Sequence, residues 1–304
     1  MTRCLSSLLA VLVLLSACAP QPEPLPAPLP TAVAEMVAAP PAIYLPAVIM
    51  SAPLVVDQRV GPEVCMAWSG QFLAEAQQDF GSQFYYHSAT WRVPSVTAVP
   101  IVRARPGQRE DIAEQLLYLK SIDWRGLVLL ANEPDMPDQD AIAQPRDMAG
   151  LYWYATQVLP NATFVTPNTI SVQYLDEFLD YAELRAKDRV GVHIYQGAAG
   201  TAVHTWPSVW LQAVDRVLAR HGVGNALWVS EVGIDESWSQ PTSDRYAREL
   251  FDSRAEAVCV YTTTCGGWLP GCGYDLYKSG VLTTGGNALK SVLRPFADQT
   301  AAYP

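Results

Sequence analysis

Eight short apolar runs without clean alternation recur between residues 64 and 261, and they constrain the fold more than any other feature. They are Val64–Trp68, Phe84–His87, Val99–Ala104, Leu127–Ala131, Thr163–Pro167, Val190–Tyr195, Ala226–Glu231 and Ala257–Tyr261. Runs rich in Val, Ile, Leu and aromatics on both faces are what parallel strands covered by helices require. Amphipathic segments lie between several of them. Ile112, Leu116 and Leu119 share one helical face, as do Val172, Leu175, Leu179 and Ala182, and then Leu211, Val214 and Leu218. The last of these stops at His221-Gly222, a normal helix C-terminal signal. This alternation predicts a single (β/α)8 (TIM) barrel of the α/β class. No helical pattern is visible after Phe84–His87. An open doubly wound sheet is the main competitor, but no GxGxxG or P-loop pattern follows any strand, so no nucleotide cofactor is expected, nor any other.

The barrel is expected to be preceded by a processing signal and a tether. Arg3 supplies a positive flank, and Leu5 to Ala17 is an apolar stretch too short to span a bilayer. It ends in Leu15-Ser16-Ala17-Cys18, which resembles the lipobox of bacterial lipoproteins, so Cys18 is the expected lipidation site. Residues 1–17 are then the signal peptide and residues 18–54 a lipidated, Pro-rich linker. Pro20, Pro22, Pro24, Pro26, Pro28 and Pro30 alternate with other residues, which favours an extended, semi-rigid chain. Residues 55–300 remain for the barrel, about the 250 that such a barrel needs. The expected location is extracytoplasmic, anchored at the bacterial cell surface or the periplasmic face.

A net charge of −10 argues against nucleic-acid and polyanion partners and is neutral about uncharged sugars. Nine tryptophans and 14 tyrosines supply rings that stack on sugar faces, although most aromatics in any domain are core. Outside the cytoplasm, Cys65, Cys259, Cys265 and Cys272 read as disulfide candidates with three possible pairings. In a closed barrel the first and last strands are neighbours, which favours Cys65–Cys259 with Cys265–Cys272 closing a short loop. None of the four has CxxC spacing and no histidine sits nearby, so no metal is expected. The acidic run Asp135, Asp138, Asp140 lacks calcium-loop spacing and reads as a solvated loop.

Glutamates end two of the strand patterns: Glu133 in Leu-Ala-Asn-Glu-Pro-Asp and Glu231 in Trp-Val-Ser-Glu-Val-Gly. In a parallel barrel both strand ends open onto one face. Two carboxyl groups across a cleft are the minimum equipment for cleaving a glycosidic bond, and a carboxylate at a buried strand end is costly without a use. Asn132-Glu133-Pro134, His193-Ile194-Tyr195 and Ser230-Glu231, in that order, resemble clan A glycoside hydrolases, which are retaining enzymes on (β/α)8 barrels. Asn-Glu-Pro-Asp with His-x-Tyr and a late Glu looks most like the small glycosyl hydrolase catalytic core group, which includes endo-β-1,3-glucanases.

The resemblance implies that Glu133 is the general acid/base and Glu231 the nucleophile of a double displacement on a β-linked oligo- or polysaccharide. Asn132 would bond the sugar 2-hydroxyl, and Tyr195 would donate to Glu231. His193, two residues before Tyr195 on the same strand face, would line the same cleft. Trp68, at the end of the first strand, and Trp268, after the last, are the candidate sugar platforms, with Trp91 a further one. An arginine supporting the nucleophile is expected near an early strand end, at Arg92 or Arg103. His87, His204 and His221 carry no site expectation. A monomer is expected. The rival reading is a non-catalytic carbohydrate-binding or scaffold lipoprotein on the same barrel.

Overall fold

In the computed structural model, the chain is described at residues 62–67, 72–82, 84–87, 97–103, 109–140, 142, 144–195, 206–235, 237–262 and 273–300. The expected signal peptide, Cys18, the Pro-rich linker, Trp68, Trp91, Arg92, Cys265, Trp268 and Cys272 all lie outside the described residues.

Eight parallel strands close into a barrel in chain order: β1 (Glu63–Ala67), β2 (Phe84–His87), β3 (Thr97–Val102), β4 (Leu127–Leu130), β5 (Thr163–Thr169), β6 (Arg189–Ile194), β7 (Leu227–Gly233) and β8 (Ala257–Tyr261). Closure is made by β1 against β8, in a register that sets Cys65 beside Cys259. Among the described residues seven helices accompany the strands: α1 (Leu73–Phe80), α2 (Arg109–Ser121), α3 (Pro145–Val158), α4 (Val172–Tyr181), α5 (Pro207–Arg220), α6 (Gln240–Phe251) and α7 (Thr284–Thr300). A two-stranded hairpin, β9 (Tyr277–Lys278) with β10 (Val281–Leu282), precedes α7. None of the described helices lies between β2 and β3. None is long and apolar enough to cross a membrane.

The missing alternation in the sequence has a simple cause: in most of the strands whose side chains are described, both faces are buried, in two different cores. Cys65, Ala67, Val99, Ile101, Leu129, Val165, Trp228, Ala257 and Cys259 form the smaller core. They are alternate residues of strands around the ring, so this core is the barrel interior. Their neighbours Val64, Met66, Val128, Phe164, Val190, Val192, Val258 and Val260 belong to the larger core with the helices. Each fully buried Val, Leu, Ile or Phe is worth about 1.5–3 kcal/mol. The apolar helix faces expected at Leu116 and Leu119, at Leu175 and Leu179, and at Leu211, Val214 and Leu218 are buried in that outer layer.

Helix starts follow local chemistry. Pro145 and Pro207 open α3 and α5, where the missing N–H costs nothing. The Ser171 hydroxyl caps α4 by accepting from the Tyr174 N–H. Cys65 and Cys259 form a disulfide inside the barrel, as the closure argument expected.

Candidate active site

Glu133 follows β4 and Glu231 lies near the C-terminal end of β7, so both stand at the face where parallel barrels gather their functional groups. His193 and Tyr195 arrive there by plain alternation. On β6, Val190, Val192 and Ile194 face the helices, which leaves His193 and the following Tyr195 pointing inward.

Glu231 does not arrive that way. On β7, Trp228 faces the interior and Val229 faces the helices. Strict alternation would then turn Glu231 outward. Instead, Val192 pairs with Val229 and His193 with Glu231, leaving Ser230 as an extra residue. On the other side, Val229 pairs with Val258 and Val232 with Val260. This bulge restores the outward phase at Val232 and puts Glu231 over the cleft, a common use of bulges beside functional sites. The Ser230 hydroxyl anchors the kink by donating to the Val192 carbonyl at 3.2 Å.

The Glu133 segment breaks its strand differently. Ala131 and Glu133 both take left-handed backbone angles, with φ of 65° and 48°. Such angles are uncommon for residues other than Gly and need support from the surroundings. Here the Glu133 N–H donates to the Asn168 carbonyl at 3.0 Å and the Asn132 N–H donates to Asp140 at 2.7 Å.

Glu133, His193 and Glu231 are 7%, 1% and 5% exposed, and one donor atom from each lies within 4.8 Å of the other two. His193 Nδ1 sits 3.0 Å from a Glu133 carboxylate oxygen, and the Tyr195 hydroxyl donates to Glu231. That spacing would also suit a metal ion, while His193 Nδ1 already pairs with the Glu133 carboxylate and Glu231 accepts a hydrogen bond from the Tyr195 hydroxyl. Burial by itself would push the His193 imidazolium down. The Glu231 charge, the hydrogen bond to Glu133, and the charges of Glu133 and Asp135 outweigh it, so its pKa stands above the ordinary histidine value. His193 Nε2 and Asn132 Oδ1 are buried without a hydrogen-bond partner among the described residues.

The structure brings four sequence-predicted residues together at Glu133, His193, Tyr195 and Glu231, with Asn132 adjoining Glu133. Arg103 follows β3, at an early strand end as expected; it is 9% exposed and donates to Asp140 at 2.9 Å and to Gln139 at 2.8 Å. The solvated-loop reading of the acidic run is corrected for two of its members. Asp140 is only 2% exposed and held by Arg103, while Asp135 accepts from the Ser171 N–H at 2.7 Å. An Asp eight residues past Asn132 gave no sequence signal, because its partner is 37 residues away on β3's end.

Two tyrosines were missed. Tyr261, ending β8, stacks edge-on against Tyr195 at 6.1 Å. Burial, then the charges of Glu231, Glu133 and Asp275, raise its pKa to about 12. Tyr274 packs on Tyr195 at 5.2 Å. Gly233 makes room for both rings: a Cβ there would come within 2.7 Å of Tyr195 and of Tyr274. The inward phase of β8 after Cys259 could have pointed to Tyr261; nothing in the sequence pointed to Tyr274.

Residues 65–258 match the family model described as "Glycosyl hydrolase catalytic core". Among solved structures, a GH128 endo-β-1,3-glucanase from Amycolatopsis mediterranei, in complex with laminaritriose, superposes with a TM-score of 0.56 at 17% identity, covering 76% of this chain and 100% of that one. A GH128 curdlan-specific exo-β-1,3-glucanase from Blastomyces gilchristii gives 0.55 at 17% identity, over 75% and 97% of the two chains. A GH128 oligosaccharide-binding protein from Cryptococcus neoformans gives 0.55 at 16% identity, over 78% and 95%. At such identities these likenesses speak to the fold. No curated protein matches the chain.

Proposed function

The chain belongs to the glycosyl hydrolase catalytic core family and is a glycosidase, and from that premise we propose that it hydrolyses a β-glucan by a retaining, two-glutamate double displacement. The observation that carries the mechanism is the approach of the Glu133 and Glu231 carboxylates, whose oxygens come within 4.8 Å. Retaining pairs stand about 5–5.5 Å apart, whereas inverting pairs need roughly 6.5–9.5 Å to admit water. In the first step Glu231 attacks the anomeric carbon while Glu133 gives its proton to the departing glycosidic oxygen. In the second, Glu133 takes a proton from water as that water displaces Glu231. The Tyr195 hydroxyl holds the Glu231 carboxylate for attack, and His193 holds Glu133. Asn132 Oδ1, buried and without a partner among the described residues, suits a sugar hydroxyl.

A β-1,3-linked glucan is the first substrate to try, on the strength of the glucanases that share the fold. The proposal includes lipidation at Cys18, a Pro-rich tether and an extracytoplasmic location. The buried Cys65–Cys259 bridge supports that compartment, since disulfides persist where the environment is oxidising.

Product release from β-1,3-, β-1,4- and mixed-linkage glucans, mannan and xylan tests the reading, with Glu231→Gln as the control. Oligosaccharides from wild type alone, with the β-anomer formed first by NMR, are the expected result. An α-anomer formed first would overturn the retaining mechanism. Silence with retained polysaccharide binding would favour the carbohydrate-binding reading; one protein of the same fold is named an oligosaccharide-binding protein.

A further inference from the structure

Asn168 is a fully buried polar residue at the end of β5 that the mechanism above does not use. Its amide nitrogen donates to the carbonyls of Leu130 and Ala131, both at 3.1 Å, and of Val165 at 2.9 Å. Its main-chain carbonyl accepts the Glu133 N–H at 3.0 Å. One residue therefore grips the β4 exit on both sides of Asn132. Its left-handed backbone, with φ of 58°, is one that Asn tolerates better than most residues. The place is reserved for it across the sheet, because a Cβ on Gly191 of β6 would lie 2.0 Å from Asn168 Oδ1.

A second clamp closes on the same segment from β3. Asp140 binds the Asn132 N–H through one oxygen and Arg103 through the other. Arg103 is tied to α2 in turn: its backbone N–H donates to Gln115, whose side-chain amide donates back to the Arg103 carbonyl, each at 3.1 Å. The left-handed Ala131-Asn132-Glu133 turn is thus held from β5 and from β3, with its backbone donors at 132 and 133 both engaged.

We propose that Asn168 and the Arg103–Asp140 pair are positioning residues that fix where the Glu133 carboxyl meets the leaving-group oxygen. This rests on Glu133 being the acid/base. A group that must protonate a leaving oxygen acts within hydrogen-bond reach, and a misplacement of about 1 Å can cost about 100-fold in rate. The consequence falls on one step. Leaving groups that need a proton suffer, and leaving groups that depart without one do not.

The experiment uses aryl β-laminaribiosides from dinitrophenyl to phenyl, with the mature chain and its Asn168→Gly, Asp140→Asn and Glu133→Ala variants. Glycine accepts the left-handed backbone, so Asn168→Gly removes the side chain without straining the turn. The expected result for Asn168→Gly is a kcat/KM loss of about 100-fold on the phenyl glycoside and under about 5-fold on the dinitrophenyl one. Asp140→Asn shows the same steepening to a smaller degree. Equal losses across the series, or none, in a folded Asn168→Gly variant would overturn the proposal. If that variant does not fold, Asp140→Asn decides by the same criterion. Glu133→Ala calibrates the assay: it should lose the phenyl substrate, keep the dinitrophenyl one and respond to azide by forming a β-glycosyl azide. Failure of that signature would remove Glu133 from the acid/base role and the proposal with it. A normal Glu133→Ala signature beside a flat Asn168→Gly would sink the positioning proposal alone.

Discussion

Breaking the bridge inside the barrel should cost this protein much of its stability. Cys65 and Cys259 are 194 residues apart in sequence and sit side by side where β1 meets β8, so the bridge makes a ring of nearly the whole barrel in the denatured state. A loop of that length removes about 5 kcal/mol of denatured-state entropy at 25 °C by the chain-entropy relation, and measured bridges commonly return about 2–4 kcal/mol. At about 2–4 °C per kcal/mol for a chain of this size, the Cys65→Ala/Cys259→Ala variant should melt roughly 10 °C lower. The β1–β8 hydrogen-bonded ladder remains, so the barrel should still close at 25 °C and retain its circular dichroism. The assay is reversible urea unfolding and thermal melting of that variant against a Cys265→Ala/Cys272→Ala background. Wild type refolded under reductant, which keeps both sulfurs in the core, separates loss of the link from loss of packing. A midpoint within about 2 °C of wild type in both forms would refute the closure argument.

Two further predictions concern the site. Tyr195→Phe deletes a hydrogen bond to a charged carboxylate, worth about 1.5–3 kcal/mol; felt in the transition state, it should lower kcat/KM by about 10- to 100-fold with little change in melting temperature. A change under about 3-fold would mean that Tyr195 does not hold the nucleophile. His193→Gln tests the raised histidine pKa through the pH dependence of unfolding. Because the native pKa lies above the unfolded value of about 6.5, the charged ring stabilises the fold fully below that pH, and the contribution fades as pH rises through the native pKa. The stability difference between wild type and His193→Gln should therefore shrink on the alkaline side; a difference constant with pH would show that folding does not raise the histidine pKa.

Much of the barrel was legible because burial on two faces leaves a local mark. All eight runs are strands, and β2 and β8 keep the bounds read from sequence. Boundaries slipped where backbone geometry departs from the strand. Leu127–Ala131 loses Ala131, which turns left-handed, and the third strand begins at Thr97 rather than Val99. His193 and Tyr195 were readable as partners because a period of two needs no tertiary information. Asn168 and Asp140 were not, because their meaning lies in contacts with residues 37 and 38 positions away. Arg103 could be selected as a strand-end arginine, but its direction toward Asp140 could not.

The sequence by itself determined the strand–helix repeat, the pairing of Cys65 with Cys259 once closure is assumed, and the chemical types needed at the two strand ends. Only the tertiary structure decided that the two glutamates meet. Glu231 faces the cleft because an extra residue at Ser230 shifts the phase of β7, and neighbouring strands on both sides record that shift. Glu133 reaches it through a left-handed turn held by Asn168 from β5 and Asp140 below Arg103. Side-chain periodicity is a property of one strand. The bulge and the turn that override it are stabilised by groups on other strands, and no local pattern carries them.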